Sequence, residues 1–261
     1  MKKPSLRGEW FSERTPLLLE CAEALRADFH AADVGVMLLG SMAVLYLCEN
    51  PEETFRGHTM CFGDIDLIGK RKDVQTISEV ICRCGFAEDM GVRLKFGNER
   101  RAFLGGKHDI RIDLFLDEIR MNHTFRPLWD ESHQTFVVTP ADFLLEKLQI
   151  VDIKTKDFLL MLAVVGSNPI VNSPSWSGID VSRLGHILGN DWGFWITSRL
   201  NILKADDFLD RSGFSRNLIE TCRARLAAID SSIVSYPKSL RWHLRRLLGK
   251  RLRWYQEVDP W

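Results

Sequence analysis

The sequence predicts an α+β fold in which a mixed β-sheet with flanking helices fills residues 1–138 and an all-helical region fills 139–261. Three observations carry that expectation. Runs at 34–39, 64–69 and 110–116 have the length and apolar content of strands. Stretches between them repeat at helical spacing. Beyond Pro140 the apolar residues recur at helical spacing alone, and no repeat or low-complexity tract breaks either half.

Taken in order, residues 1–13 are polar and basic, the composition of a loosely held arm. From Thr15 to Ala31, Leu17, Leu18, Leu19, Ala22, Leu25 and Phe29 fall at helical spacing, and Pro16 suits the first turn. Val34 to Leu39 reads as a buried strand ending in Gly40-Ser41, and Met42 to Cys48 as a short apolar helix. The Gly-Ser pair therefore lies where a strand turns into a helix N-terminus. Backbone N–H groups and a Ser hydroxyl at such a turn can hold a phosphate, although Ser41 serves equally well as a helix N-cap.

The polar stretch from Glu49 to Cys61, with Pro51, Gly57 and His58, reads as an inserted loop that leaves His58 in solvent. Asp73 to Cys84 reads as a helix stopped by Gly85. Val92 to Phe96 alternates as a strand would, with Arg93 and Lys95 on one face, and Arg101 to Leu104 is its expected hairpin partner across Gly97-Asn98. In Ile110 to Leu116 the alternation puts Arg111 and Asp113 on one face and Ile110, Ile112 and Leu114 on the other. His133 to Val138 is the last strand expected.

Helices follow over Asp142 to Val151 and Lys154 to Val165. A looser Ser-, Pro- and Asn-rich stretch, Asn168 to Gly178, precedes four more over Asp180 to Leu188, Trp192 to Leu203, Phe214 to Ala228 and Ser239 to Tyr255. In the last, Leu240, Leu244, Leu247, Leu248, Leu252 and Tyr255 share one face, so the cations take the other.

Charge is balanced at 35 basic and 35 acidic residues, so the chain as a whole is no electrostatic trap for nucleic acid. The balance is local in one place: Lys238, Arg241, Arg245, Arg246, Lys250, Arg251 and Arg253 follow one another without an acid. Interleaved with Trp242 and Trp254, they could grip an RNA backbone and stack on a base. A solvated face is the alternative. The six cysteines, with no secretory signal pattern ahead of them, are expected as reduced thiols in a cytoplasmic protein. The longest apolar run, Phe158 to Gly166, is too short to cross a bilayer, and no membrane role is expected.

The chemistry concentrates in Phe62-Gly-Asp-Ile-Asp-Leu-Ile-Gly69, a strand carrying two carboxylates on one face, Asp64 and Asp66. Like charges held side by side are costly, and a divalent cation removes that cost; Mg²⁺ in particular takes one or two carboxylates together with phosphate oxygens. Asp113 supplies a third carboxylate, unless it is simply the partner of Arg111. No Ser/His/Asp set, zinc-ligand spacing or Gly-x-Gly-x-x-Gly motif is present.

Gly40-Ser41, Asp64-Ile65-Asp66 and Ile112-Asp113 resemble the signature of the DNA polymerase beta-type nucleotidyltransferases, and the wider pattern is similar to the AbiEii toxin group of toxin–antitoxin systems. Asp142-Phe-Leu-Leu-Glu-Lys147 resembles that group's Asp-x4-Lys helix, and Lys154 to Leu162, with Asp157, the helix that follows it. The resemblance spans residues 34–165, with one departure: 22 residues separate Ser41 from Asp64, a longer spacing than the family's.

The resemblance implies a nucleotidyltransferase-type sheet in a catalytic domain, 1–138, and a helical C-terminal domain, 139–261. It implies that Asp64, Asp66 and Asp113 hold Mg²⁺, that Asp113 helps deprotonate the attacking hydroxyl, and that Gly40 and Ser41 meet the NTP phosphates. Lys95 and Lys147 become candidates for neutralising triphosphate charge, against the alternative of a solvated face, while Asp157 is expected to be structural, paired with Lys154 or Lys156. The implied reaction moves an NMP from an NTP to an acceptor hydroxyl, at an RNA end such as that of tRNA, in a chain with a cognate antitoxin. Two other readings remain open: transfer to a small-molecule or protein hydroxyl, and a non-catalytic nucleotide- or partner-binding module.

Overall fold

The computed structural model describes residues 12–58, 60–106, 109–130, 132 and 135–258. The expected basic arm at 1–13, but for its last two residues, and the start of the expected strand at 133–138 lie outside them. The chain forms two compact units. One comprises residues up to Tyr46 with His58–Ile119 and Arg126–Val138; the other comprises Leu47–Gly57, Arg120–Phe125 and the chain from Thr139 onward. Segments 47–57 and 120–125, expected within the first half, thus group with the second.

In the first unit, α1 (Arg14–Ala31) buries Leu18, Leu19, Ala22, Leu25 and Phe29, the stripe that its spacing predicts. It leads into β1 (Val36–Leu39), buried at every residue, and α2 (Gly40–Leu47) begins directly at the Gly-Ser pair. The stretch expected as a bare loop holds a short helix, α3 (Glu52–Phe55), with Thr54 and Phe55 buried. Its acids and Pro51 disguise two residues that have core to fill, so the segment is structure of the second unit rather than a surface excursion.

β2 (Asp64–Gly69) pairs antiparallel with β1, and a 3₁₀ turn leads to α4 (Val74–Arg83), which ends ahead of Gly85 at φ +89°. β3 (Phe86–Glu88) follows. Val92 to Phe96 is not a strand: it belongs to α5 (Met90–Phe96), and the strand that pairs with β4 (Arg100–Gly105) is β3. The reason is local. The Asp89 carboxylate accepts from the N–H groups of Gly91 (2.8 Å) and Val92 (3.1 Å), capping a helix that buries none of its residues. Five alternating residues are too few to distinguish the two periods.

β5 (Ile110–Leu116) completes a five-stranded sheet in the order β1-β2-β5-β4-β3, antiparallel throughout except for the central parallel pair β2/β5. Residues 136–138 run beside β1, where the Leu38 N–H donates to Phe136 O (2.6 Å) and the Val138 N–H to Leu38 O (3.1 Å). The short β6 (Ile119–Arg120) and β7 (Thr124–Phe125) follow the sheet.

The second unit is helical. All nine residues of α6 (Pro140–Leu148) are buried. Its cap, Thr139 Oγ1, accepts from the Asp142 N–H at 3.0 Å, and Asp142, fully buried, receives Arg183 Nε at 2.7 Å. α7 (Thr155–Ser167) leads through the expected loose stretch, which nevertheless contains a parallel pair, β8 (Ile170–Val171) with β9 (Ile179–Asp180). Asp180, Asp191 and Ser215 cap α8 (Val181–Asn190), α9 (Trp192–Leu209) and α10 (Arg216–Ser235). Ser239 caps α11 (Leu240–Leu248), which stops at Gly249, φ +54°, well short of the expected end at Tyr255.

The face of α11 is also reversed from expectation. Trp242, 4% exposed, points inward and meets Trp195 edge-on at 5.2 Å, while Leu240, Leu244, Leu247, Leu248 and Leu252 are exposed. Periodicity says which residues share a helix face, and one large aromatic ring has decided which face is covered. All six cysteines are free thiols. Among the described residues no helix is long and apolar enough to cross a membrane.

Candidate metal centre

The site is assembled by strand parity and sheet register. Within β2, Asp64 and Asp66 alternate with Ile65 and Leu67, both fully buried, so the two carboxylates share the opposite face. The parallel ladder to β5 sets Asp66 opposite Asp113 and Asp64 opposite Arg111. Directly opposed residues point to the same face of a sheet, so Asp113 joins the pair. One carboxylate oxygen from each of the three lies within 4.8 Å of the others, and among the described residues this is the only such group of three or more acidic, His or Cys side chains.

The Gly-Ser turn belongs to the same place. Leu39 is registered opposite Asp66, so the chain leaves β1 beside the carboxylates and enters α2 there. Gly40 has φ +68°, and a Cβ built on it would stand 1.9 Å from Asp66 Oδ2 and 2.8 Å from Asp66 Cβ. Backbone conformation and space both require glycine. Ser41 follows at 6% exposure. The long spacing between Ser41 and Asp64 leaves the β1/β2 pairing intact.

Asp113, 3% exposed, is also gripped by two guanidinium groups. Arg111 donates to it as a fork, Nε to Oδ2 at 3.0 Å and Nη2 to Oδ1 at 3.1 Å, and Arg100 Nη2 stands 2.7 Å from Oδ1. The hydrogen bond to Asp113 is the first cause of a raised Arg111 pKa, with Asp89 and Asp64 adding to it across space. The two sequence readings of Asp113, cluster member and partner of Arg111, therefore coincide in one carboxylate. Arg100 escaped the sequence reading. It opens β4, and its guanidinium lies over the Phe115 ring at 5.2 Å, a buried position that no local pattern marks.

The structure thus brings Gly40, Asp64, Asp66 and Asp113 together, with Ser41 on the adjoining turn. Lys95 sits on α5 rather than on a strand, exposed, with its ammonium 4.7 Å from the Phe96 ring centre. Lys147 lies in the second unit, 7% exposed, 2.8 Å from Glu146 Oε1 and 4.0 Å from Asp157 Oδ1, the environment of a structural ion pair. Asp157 accepts from the Lys154 backbone N–H at 3.2 Å, securing the start of α7. His58 is half-buried rather than fully in solvent.

Three converging carboxylates with no nitrogen or sulfur donor form a hard-oxygen set, which fits Mg²⁺ or Mn²⁺ and suits Zn²⁺ poorly. The glycine that lets Asp66 lie tight against the turn fits the same purpose. No protein-family model matches the chain, and no curated protein matches it.

Proposed function

We propose that the chain is a Mg²⁺-dependent nucleotidyltransferase, with a nucleotidyltransferase-type sheet, that moves an NMP from an NTP to an acceptor hydroxyl. One observation carries the reading: Asp64, Asp66 and Asp113, from two parallel neighbouring strands, converge beside a glycine turn that opens a helix. Asp64 and Asp66 would hold the cation. When bound, it supplies Lewis-acid polarisation of the phosphoryl oxygens and neutralises triphosphate charge. The first N–H groups of α2 and the Ser41 hydroxyl would meet the phosphates. Asp113, kept in place by Arg100 and Arg111, accepts the proton of the attacking hydroxyl as the new O–P bond forms and pyrophosphate leaves. Lys95, exposed, is the more available of the two lysines for the triphosphate. The acceptor we propose is RNA, with tRNA ends first, as for an AbiEii-like toxin with a cognate antitoxin.

A second reading is favoured by the grip of two guanidiniums on Asp113: a nucleotide-binding module in which that carboxylate only braces the sheet. The test is incubation of the full chain with each α-labelled NTP, Mg²⁺ and total RNA, beside Asp64→Asn/Asp66→Asn. The expected result is label on RNA, reduced at least about 100-fold in the variant, since loss even of outer-shell support to a metal costs about 10–100-fold. Label on protein or on a small molecule would keep the chemistry and change the acceptor. NTP retained without transfer, and released by the double variant, would establish the binding module.

A further inference from the structure

We propose that α11 is a peripheral docking element for anionic lipid surfaces, a role that goes beyond the transfer reaction and does not depend on it. Leu240, Leu244, Leu247, Leu248 and Leu252 are 75%, 58%, 79%, 47% and 56% exposed. At about 100° per residue, the four leucines within the helix form one stripe about 100° wide, and Trp242 lies on the opposite side. The helix is held to its unit by the back, with its apolar stripe outward. A contiguous exposed apolar patch of this kind marks an interaction site.

Leu240, Leu244 and Leu248, with Arg241 and Arg245, line a hollow of about 940 Å³, Leu247 stands outside it, and a second hollow of about 570 Å³ lies on the Trp242 side, with His243 and Arg246. The exposed leucines suit a surface that yields to them, which an acyl and headgroup boundary does.

The charge near the stripe selects the lipid. Of the seven cations between Lys238 and Arg253, five have internal partners: Lys238 caps the end of α10, Arg245 holds the carbonyls of Gly249 and Leu252, Arg253 pairs with Glu257, and Arg246 and Lys250 lie over the Trp242 and Trp254 rings, each at 5.7 Å. Arg241, Arg246, Lys250 and Arg251 are exposed, and no acid lies between 238 and 253 in a chain of zero net charge. Their complement is a negative surface.

RNA fits less well. It would gain nothing from five leucines, and the ring expected to stack is either buried, as in Trp242, or tied by its Nε1 to Thr197 at 3.0 Å, as in Trp254. Two copies meeting stripe to stripe would bring the same cations together. Anionic lipid satisfies leucine and arginine at once.

The experiment is co-sedimentation of the full chain with phosphatidylcholine vesicles, with and without phosphatidylserine, beside Leu247→Ser, Leu244→Ser/Leu247→Ser and Arg241→Gln/Arg251→Gln. These side chains are exposed, so circular dichroism should report an unchanged fold. We expect phosphatidylserine to strengthen binding, salt to weaken it, each lost cation to cost about fivefold, and the double serine variant to abolish it. No binding to either vesicle overturns the proposal, as does binding indifferent to phosphatidylserine. A Leu247-dependent dimer in light scattering without vesicle binding reassigns the stripe to a second copy. Vesicle binding indifferent to the serine substitutions reduces the contact to charge alone and equally overturns the proposal.

Discussion

Two charge clusters, one in each unit, have opposite designs. In the sheet, Asp64, Asp66 and Asp113 converge, like upon like. In the helical unit the acids meet cations: Asp142 receives Arg183, with Nη2 at 2.6 Å, and Glu146 receives Lys147 at 2.8 Å. A buried acid matched by its own cation is an arrangement for packing, and removing one partner leaves the other stranded. Carboxylates aimed at one point are an arrangement for something brought from outside. Asp113 shares both, since it stands with the acids while held by arginines.

That contrast can be broken by substitution. The largest effect expected is on the helical side: Arg183→Leu takes a guanidinium from fully buried Asp142 and should cost about 3 kcal/mol of stability in urea denaturation. Asp64→Asn/Asp66→Asn, measured in the same way with chelator present, should be neutral or stabilise slightly, because it relieves repulsion. If both variants destabilise alike, the two clusters are the same kind of object and the cation site is lost.

A comparable effect should come from pH. Burial of His123, whose Nε2 lies 3.0 Å from Thr197 Oγ1 and whose ring stacks on Phe194, pushes its pKa from 6.5 down to about 4, against a smaller opposing pull from Asp191. The folded state resists the proton that the unfolded chain accepts. Stability is therefore full above pH 6.5 and lost progressively as pH falls towards 4, by up to about 3 kcal/mol. His123→Gln should flatten that part of the pH–stability curve, which separates this imidazole from carboxylates titrating nearby.

A smaller change in stability than either, and the sharpest test of the site, is expected from Gly40→Ala. A left-handed alanine costs about 1–2 kcal/mol, and its methyl would displace the Asp66 carboxylate. Mn²⁺ affinity followed by paramagnetic resonance should therefore fall well beyond what the loss of stability explains. Unchanged affinity would detach the glycine turn from the metal.

Legibility followed the range of the interactions. The helix stripe of α1 and the shared face of Asp64 and Asp66 could be read because each depends on residues a few positions apart. Strand β5 was found at its observed limits, Ile110–Leu116, for the same reason. Where a local signal was short, it misled: Val92 to Phe96 alternates over five residues, yet Asp89 caps it as a helix. Arg100 carried no signal at all. Its meaning comes from β4 lying beside β5, which places its guanidinium on Asp113.

Side-chain parity and helical period are properties of the chain's own covalent geometry, so they were written in the order of residues alone. Folding added the parallel register that sets Asp113 opposite Asp66, the close approach of Gly40 to that carboxylate, and the turning of α11 so that its tryptophan faces in and its leucines out. Those choices compare contacts between segments far apart in the chain, and no local pattern carries that comparison.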